Sequence, residues 1–210
     1  MTQEKLPPEL QDPFKNSGFK SINKAISASL HQVTDGMQGK RTVYPTKWKR
    51  LNKNLLGGLQ PGKMYVIAGR PGVGKSAFSN QLIFDLLDKN QFKKLLVLYW
   101  SFEMPGYQQI LRAGAKGSNK QVSELLSVEH RLENDAYEAF KKEVLKYSHY
   151  PIYFNNIPRN MEFVKNSNVE VTNKYPDHTI VNVFDHSRLI LSEKEQELQK
   201  LNEVSKGCMW

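Results

Sequence analysis

The chain has 210 residues, 39% of them hydrophobic and 24% charged, which is length enough for one domain with a real core and too apolar for a disordered chain. No apolar run approaches the about 20 residues of a membrane span, residues 1–12 are polar and carry no signal segment, and the single Cys208 excludes an intrachain disulfide and a cysteine-based metal cluster, so a reducing cytoplasm is expected. The net charge of +9 fits either plain solubility or attraction to a polyanion, nucleic acid above all.

Residues 1–18 carry Pro7, Pro8 and Pro13 and no period, which predicts a flexible tail. From there Phe19, Ile22, Ile26, Leu30 and Val33 recur at steps of three and four, so residues 19–39 read as a helix with one apolar stripe, ended by Gly36 and Gly39. The stripe fits packing on its own domain or on a neighbouring subunit. Residues 40–50 are strongly basic and include Tyr44 and Trp48. They suit either a nucleic-acid contact, through Lys47, Lys49 and Arg50, or a solvated connector. A short helix then leads into turns at Gly57-Gly58 and Pro61-Gly62.

Met64-Tyr65-Val66-Ile67-Ala68 is apolar and partly β-branched and predicts a buried strand. Gly69-Arg70-Pro71-Gly72-Val73-Gly74-Lys75-Ser76 follows and satisfies G-x-x-x-x-G-K-[ST], the phosphate-binding P-loop. Residues 77–88 continue with Phe78, Leu82, Ile83 and Leu86 at helical spacing. The motif therefore stands between strand and helix, where its mechanism needs it. The glycines let backbone N–H groups turn inward and leave room for phosphate oxygens, and the helix N-terminus favours the anion. Lys75 is placed to reach the β- and γ-phosphates and the Ser76 hydroxyl to ligate Mg²⁺. Gly69, Arg70, Pro71, Gly72, Val73, Gly74, Lys75, Ser76 and Ala77 form the candidate nucleotide-binding set, with ATP and Mg²⁺ as the expected cofactors.

Residues 94–102 predict a second buried strand, ending in Ser101-Phe102-Glu103-Met104. Residues 105–116 read as a helix with Tyr107, Ile110, Leu111 and Ala115 inward. Asn134 suits the cap of a further helix with Ala136, Phe140, Val144 and Tyr147 on its stripe. Residues 151–154 predict a short strand, 159–174 a helix, 179–185 a strand and 193–204 a charged helix. Strands alternating with helices argue for an α/β fold with a mainly parallel sheet covered on both faces. In such a sheet the ligand crevice lies beyond the strand carboxyl ends, so the P-loop, Glu103 and Asp185 are expected to converge there. Asp185 is the candidate Mg²⁺ carboxylate, acting through water, and Glu103 the candidate that polarises the attacking water. His186 reads as a supporting imidazole rather than a metal ligand.

Lys47-Trp48-Lys49-Arg50-Leu51-Asn52 with Leu56-Gly57-Gly58-Leu59-Gln60-Pro61-Gly62 resembles the "T-G-F-x-x-L-D-x-x-x-G-G-L-x-P-G" approach of RecA-like ATPases. The P-loop with Arg70-Pro71 inside it, followed by Ser101-Phe102-Glu103-Met104, is similar to the replicative DNA helicases of the DnaB type, whose "S-L-E-M" carries the catalytic glutamate. Pro151-Ile152-Tyr153-Phe154 and Phe184-Asp185-His186-Ser187-Arg188-Leu189-Ile190 fall where that family has "P-I-Y-I-D" and "I-D-Y-L-Q-L-I". The resemblance spans residues 19–204. It implies a RecA-like P-loop NTPase core over residues 40–210, a linker helix over 19–39 that packs on the adjacent subunit, a hexameric ring, and ATP-driven translocation on single-stranded DNA. It also implies catalytic roles for Glu103 and Lys75, metal roles for Ser76 and Asp185, and primase or a helicase loader as further partners. No membrane partner is implied. Arg188 stands where the family has Gln, and Asn52 where it has Asp. The sequence stops at Trp210, before counterparts of the family's later strands, DNA loops and arginine finger, so an incomplete core and little unwinding by this chain alone are expected. The rival readings are a RecA-like recombinase or clock-type ATPase, and a nucleotide-binding module without turnover that modulates a complete helicase.

Overall fold

A computed structural model describes residues 21–102 and 104–185. The chain divides into two compact units, residues 1–43 and 44–210. In the first, α1 (Ile22–Met37) is capped by Ser21, and its stripe residues Ile22, Ile26, Leu30 and Val33 are all exposed.

The second unit is built on a parallel sheet of order β2-β1-β3, with β1 at Leu95–Ser101, β2 at Ile152–Asn155 and β3 at Thr179–Asp185. β1 is buried along its whole length, as a central strand covered on both faces must be. Its alternate residues divide the core. Leu95, Val97 and Tyr99 pack with Ile83, Leu86 and Leu87 of α3 (Lys75–Lys89) and with Tyr44. Leu96, Leu98 and Trp100, with Phe102, pack on Val164 and Val171 of α7 (Met161–Lys174), and Trp100 stacks on Phe184 at 5.9 Å. Between these lie α4 (Gly106–Gly117), α5 (Val122–Leu125) and α6 (Asn134–Leu145). Ahead of α3 lies the short α2 (Lys49–Asn54). No helix among the described residues is long and apolar enough to cross a membrane.

Three expectations need correction. Residues 64–68 form no strand: Met64 and Val66 are 88% and 74% exposed, and both edges of β1 are taken by β2 and β3. Apolar, β-branched composition states what a segment does when a neighbour covers it, and no ladder partner stands beside this one among the described residues. On α4 the apolar Tyr107 is 68% exposed, while Gln109 is fully buried. Glu133, not Asn134, is the N-cap of α6.

The departure from the family pattern at Asn52 is a working contact. The Asn52 Oδ1 accepts from both the Thr46 N–H and the Thr46 hydroxyl at 2.8 Å, and Asn52 Nδ2 donates to Thr46 O at 2.8 Å. Thr46 is 1% exposed, so Asn52→Ala leaves buried donors unpaired. The expected loss is about 2–6 kcal/mol, at 1–3 kcal/mol for each of the two orphaned donors, read as a shift of the urea midpoint with unchanged slope.

Candidate nucleotide site

The site begins where the backbone turns left-handed. Gly72 has φ +79° and Gly74, the N-cap of α3, has φ +90°. Any side chain there would be strained, so glycine is what lets Lys75 and Ser76 open the helix. The first turn of α3 leaves unpaired N–H groups facing out of the helix end, a favourable place for an anion. Lys75 Nζ reaches back across the loop and donates to Gly69 O at 3.1 Å and Arg70 O at 3.0 Å. That brings an ammonium to the helix N-terminus. Arg70, Pro71, Gly72, Val73 and Ala77 are exposed around it.

Opposite stands the end of β3. The Ser76 hydroxyl donates to Asp185 Oδ1 at 2.9 Å, across 109 residues of sequence. Asp185 is brought there by the parallel register, which pairs it with Ser101. Its second oxygen, Oδ2, is buried with no hydrogen-bond partner among the described residues. A hydroxyl with an orphaned carboxylate oxygen beside it suits Mg²⁺, which keeps several waters, so one protein oxygen can ligate it and the carboxylate can hold one of those waters. The residues therefore fit the ion. No group of three metal-ligating side chains exists among the described residues, and none is needed for this mode.

The convergence of the P-loop and Asp185 at the strand carboxyl ends is thus present. Glu103, His186 and Arg188 lie outside the described residues. In the basic segment, which the sequence reads as either a nucleic-acid contact or a solvated connector, Lys47 is engaged within the fold. Lys47 is bound to Asp85 at 2.9 Å and Asp88 at 2.6 Å, both on α3. Burial works against its charge, but the two carboxylates outweigh it and hold its pKa above the ordinary lysine value. Trp48 stacks on Phe78 at 5.2 Å, which fixes the approach segment to the P-loop helix. Lys49 and Arg50 remain exposed.

Sequence reasoning missed a buried polar cluster beside the site. Asn80, Ser101 and Gln109 are 4%, 0% and 0% exposed. Asn80 was legible, since it shares the buried α3 face with Ile83, Phe84 and Leu87 at helical spacing. Gln109 was hidden by the apolar Tyr107 two residues earlier. Tyr99 lies next to this cluster. Burial pushes its phenol up to about 12.

A profile of the DnaB-like helicase C-terminal domain matches residues 44–209. The chain belongs to that family. A replicative DNA helicase DnaB of Buchnera aphidicola (subsp. Schizaphis graminum) is 34% identical over 108 residues, covering 47% of this chain and 21% of its own. A DNA repair protein RadA of Aquifex aeolicus is 35% identical over 112 residues, covering 53% and 24%. A probable replicative DNA helicase of Guillardia theta is 26% identical over 193 residues, covering 91% and 31%. This DnaB-like chain therefore spans about a fifth to a third of these curated relatives. Among solved structures, a DnaB-like replicative helicase studied for its interactions with primase matches with TM-score 0.64 at 16% identity, over 80% of this chain and 39% of the other. A second solved structure, itself an ATPase domain, matches with TM-score 0.66 at 17% identity, over 81% and 58%. The likeness establishes the RecA-like α/β fold that the family resemblance implied.

Proposed function

We propose that this chain is the nucleotide-binding part of an ATP-driven replicative DNA helicase, coupling ATP hydrolysis to movement on single-stranded DNA and to duplex unwinding. The observation that carries the reading is the Ser76–Asp185 contact at the mouth of the P-loop, supported by membership of the DnaB-like family. Lys75 binds the β- and γ-phosphate oxygens, exchanging its two carbonyl partners for charged ones. Ser76 and Asp185 hold Mg²⁺, Asp185 through water. When bound, Mg²⁺ neutralises charge that develops between the β- and γ-phosphates. The N–H groups of residues 69–77 orient the polyphosphate. Glu103 orients the attacking water and accepts its proton. A hexameric ring, single-stranded DNA, and primase or a loader complete the proposal as partners. With Lys47 engaged by α3, the DNA contacts proposed within residues 40–50 are Lys49 and Arg50.

The RadA similarity favours a second reading, a RecA-like repair ATPase. Ser101-Phe102-Glu103-Met104 after β1 speaks for the helicase. The test is ATP hydrolysis by the full chain with and without single-stranded DNA, and by Glu103→Gln. Stimulation by DNA is expected. In the variant, turnover should fall by about 10²-fold while ATP still binds, the scale of a general-base contribution. ATP binding without any turnover, with or without DNA, would leave the chain a binding module.

A further inference from the structure

We infer that Gln109 is a positioning residue that couples the P-loop helix to the stretch after β1, so that nucleotide held at Lys75 and Ser76 orders the segment from Ser101 to Met104, which in sequence flanks Glu103. The inference rests on the nucleotide-site reading above. Its basis is a path of hydrogen bonds between three elements, two of the bonds buried and the last part-buried, that passes through Gln109 from its backbone carbonyl to its side chain. Asn80 lies on α3 one turn beyond Ser76, and its Nδ2 donates to Gln109 O at 3.0 Å. Gln109, on α4, donates from Nε2 to Ser101 Oγ at 3.1 Å. The Ser101 hydroxyl donates in turn to Met104 O. The path therefore spans the segment from its last strand residue to the residue after Glu103. The start of α4 is pinned separately, by Asn156 Oδ1 accepting from Gly106 N at 3.1 Å.

Stability does not explain these residue types. Asn80 Oδ1 and Gln109 Oε1 are both buried with no hydrogen-bond partner among the described residues. Apolar side chains of similar volume would fill the space without orphaning an acceptor. What the amides add is direction. Each bond of the path fixes the direction of the next element, so a shift in the first turns of α3 is passed on rather than absorbed.

The test is amide hydrogen exchange on the full 210-residue chain, with and without Mg²⁺ and a non-hydrolysable ATP analogue. In the parent, the analogue should slow exchange in residues 69–76 and also, by about tenfold, in residues 101–106, which reports local opening of that segment. In Gln109→Leu the slowing at 69–76 should persist and the slowing at 101–106 should be lost, with analogue affinity held within about threefold, as expected of coupling without contact. Asn80→Leu should uncouple the segment in the same way, and the double variant should add nothing further. If Gln109→Leu fails the melting control, Gln109→Met and Ser101→Ala cut the same path. Persistent slowing at 101–106 in every variant overturns the inference while leaving the nucleotide site standing. No slowing at 69–76 in the parent overturns both.

Discussion

Lys75→Ala is expected to remove most Mg-ATP binding. The ammonium sits at the N-terminus of α3 with two carbonyl acceptors, Gly69 O and Arg70 O. Phosphate oxygens are stronger acceptors, because the bond is then charge-assisted at both ends. Hydrogen bonds to charged groups contribute about 1.5–3 kcal/mol each. Two such bonds give roughly 3–6 kcal/mol, or ~10²–10⁴ in affinity at 1.4 kcal/mol per tenfold. The fold should tolerate the change, since Lys75 is half-exposed and lies outside both core clusters. Titration of a fluorescent ATP analogue against parent and variant, with thermal melts as the control, decides the matter. Equal affinity in two equally folded proteins would mean that the P-loop does not bind nucleotide through this lysine.

Much of this site was legible in the sequence because its physics is local. A left-handed turn needs glycine, and Gly72 and Gly74 supply it. A helix must start where the turn ends, and α3 does, at Lys75. β1 was legible because a central parallel strand is apolar nearly through its length, and β3 through Ile180, Val181, Val183 and Phe184; the register that brings Asp185 to Ser76 follows from their pairing. What sequence reading missed depends on neighbours far away in the chain. Residues 64–68 have strand composition but no partner strand among the described residues. Lys47 reads as a free cation until α3 places Asp85 and Asp88 beside it. Gln109 reads as a surface amide until α4 turns it under Ser101 and leaves Tyr107 in solvent. For Gln109 the local pattern places the helix correctly, and the partner across the fold decides which face is covered.

Asp185→Asn should separate metal binding from nucleotide binding. Asparagine keeps the volume of aspartate and an oxygen that can accept from Ser76 Oγ, so the contact now measured at 2.9 Å survives. Asp185 Oδ2 is already without a partner among the described residues, so replacing it with an amide nitrogen breaks no existing bond. What disappears is the carboxylate charge. Without Mg²⁺, that charge opposes the polyphosphate, and the variant should bind ATP as well as the parent or better. With Mg²⁺, the parent gains the attraction between the ion and the carboxylate, and the variant does not. The coupling between Mg²⁺ and ATP should therefore fall by about 5–150-fold, the usual span of 1–3 kcal/mol for linked sites. The measurement is ATP affinity by calorimetry at zero and saturating Mg²⁺ for both proteins. The expected result is that the two affinities lie close together without the ion and separate with it. If Mg²⁺ strengthens ATP binding equally in parent and variant, the ion does not use Asp185. The Ser76–Asp185 bond would then be a strut that holds β3 against the P-loop helix.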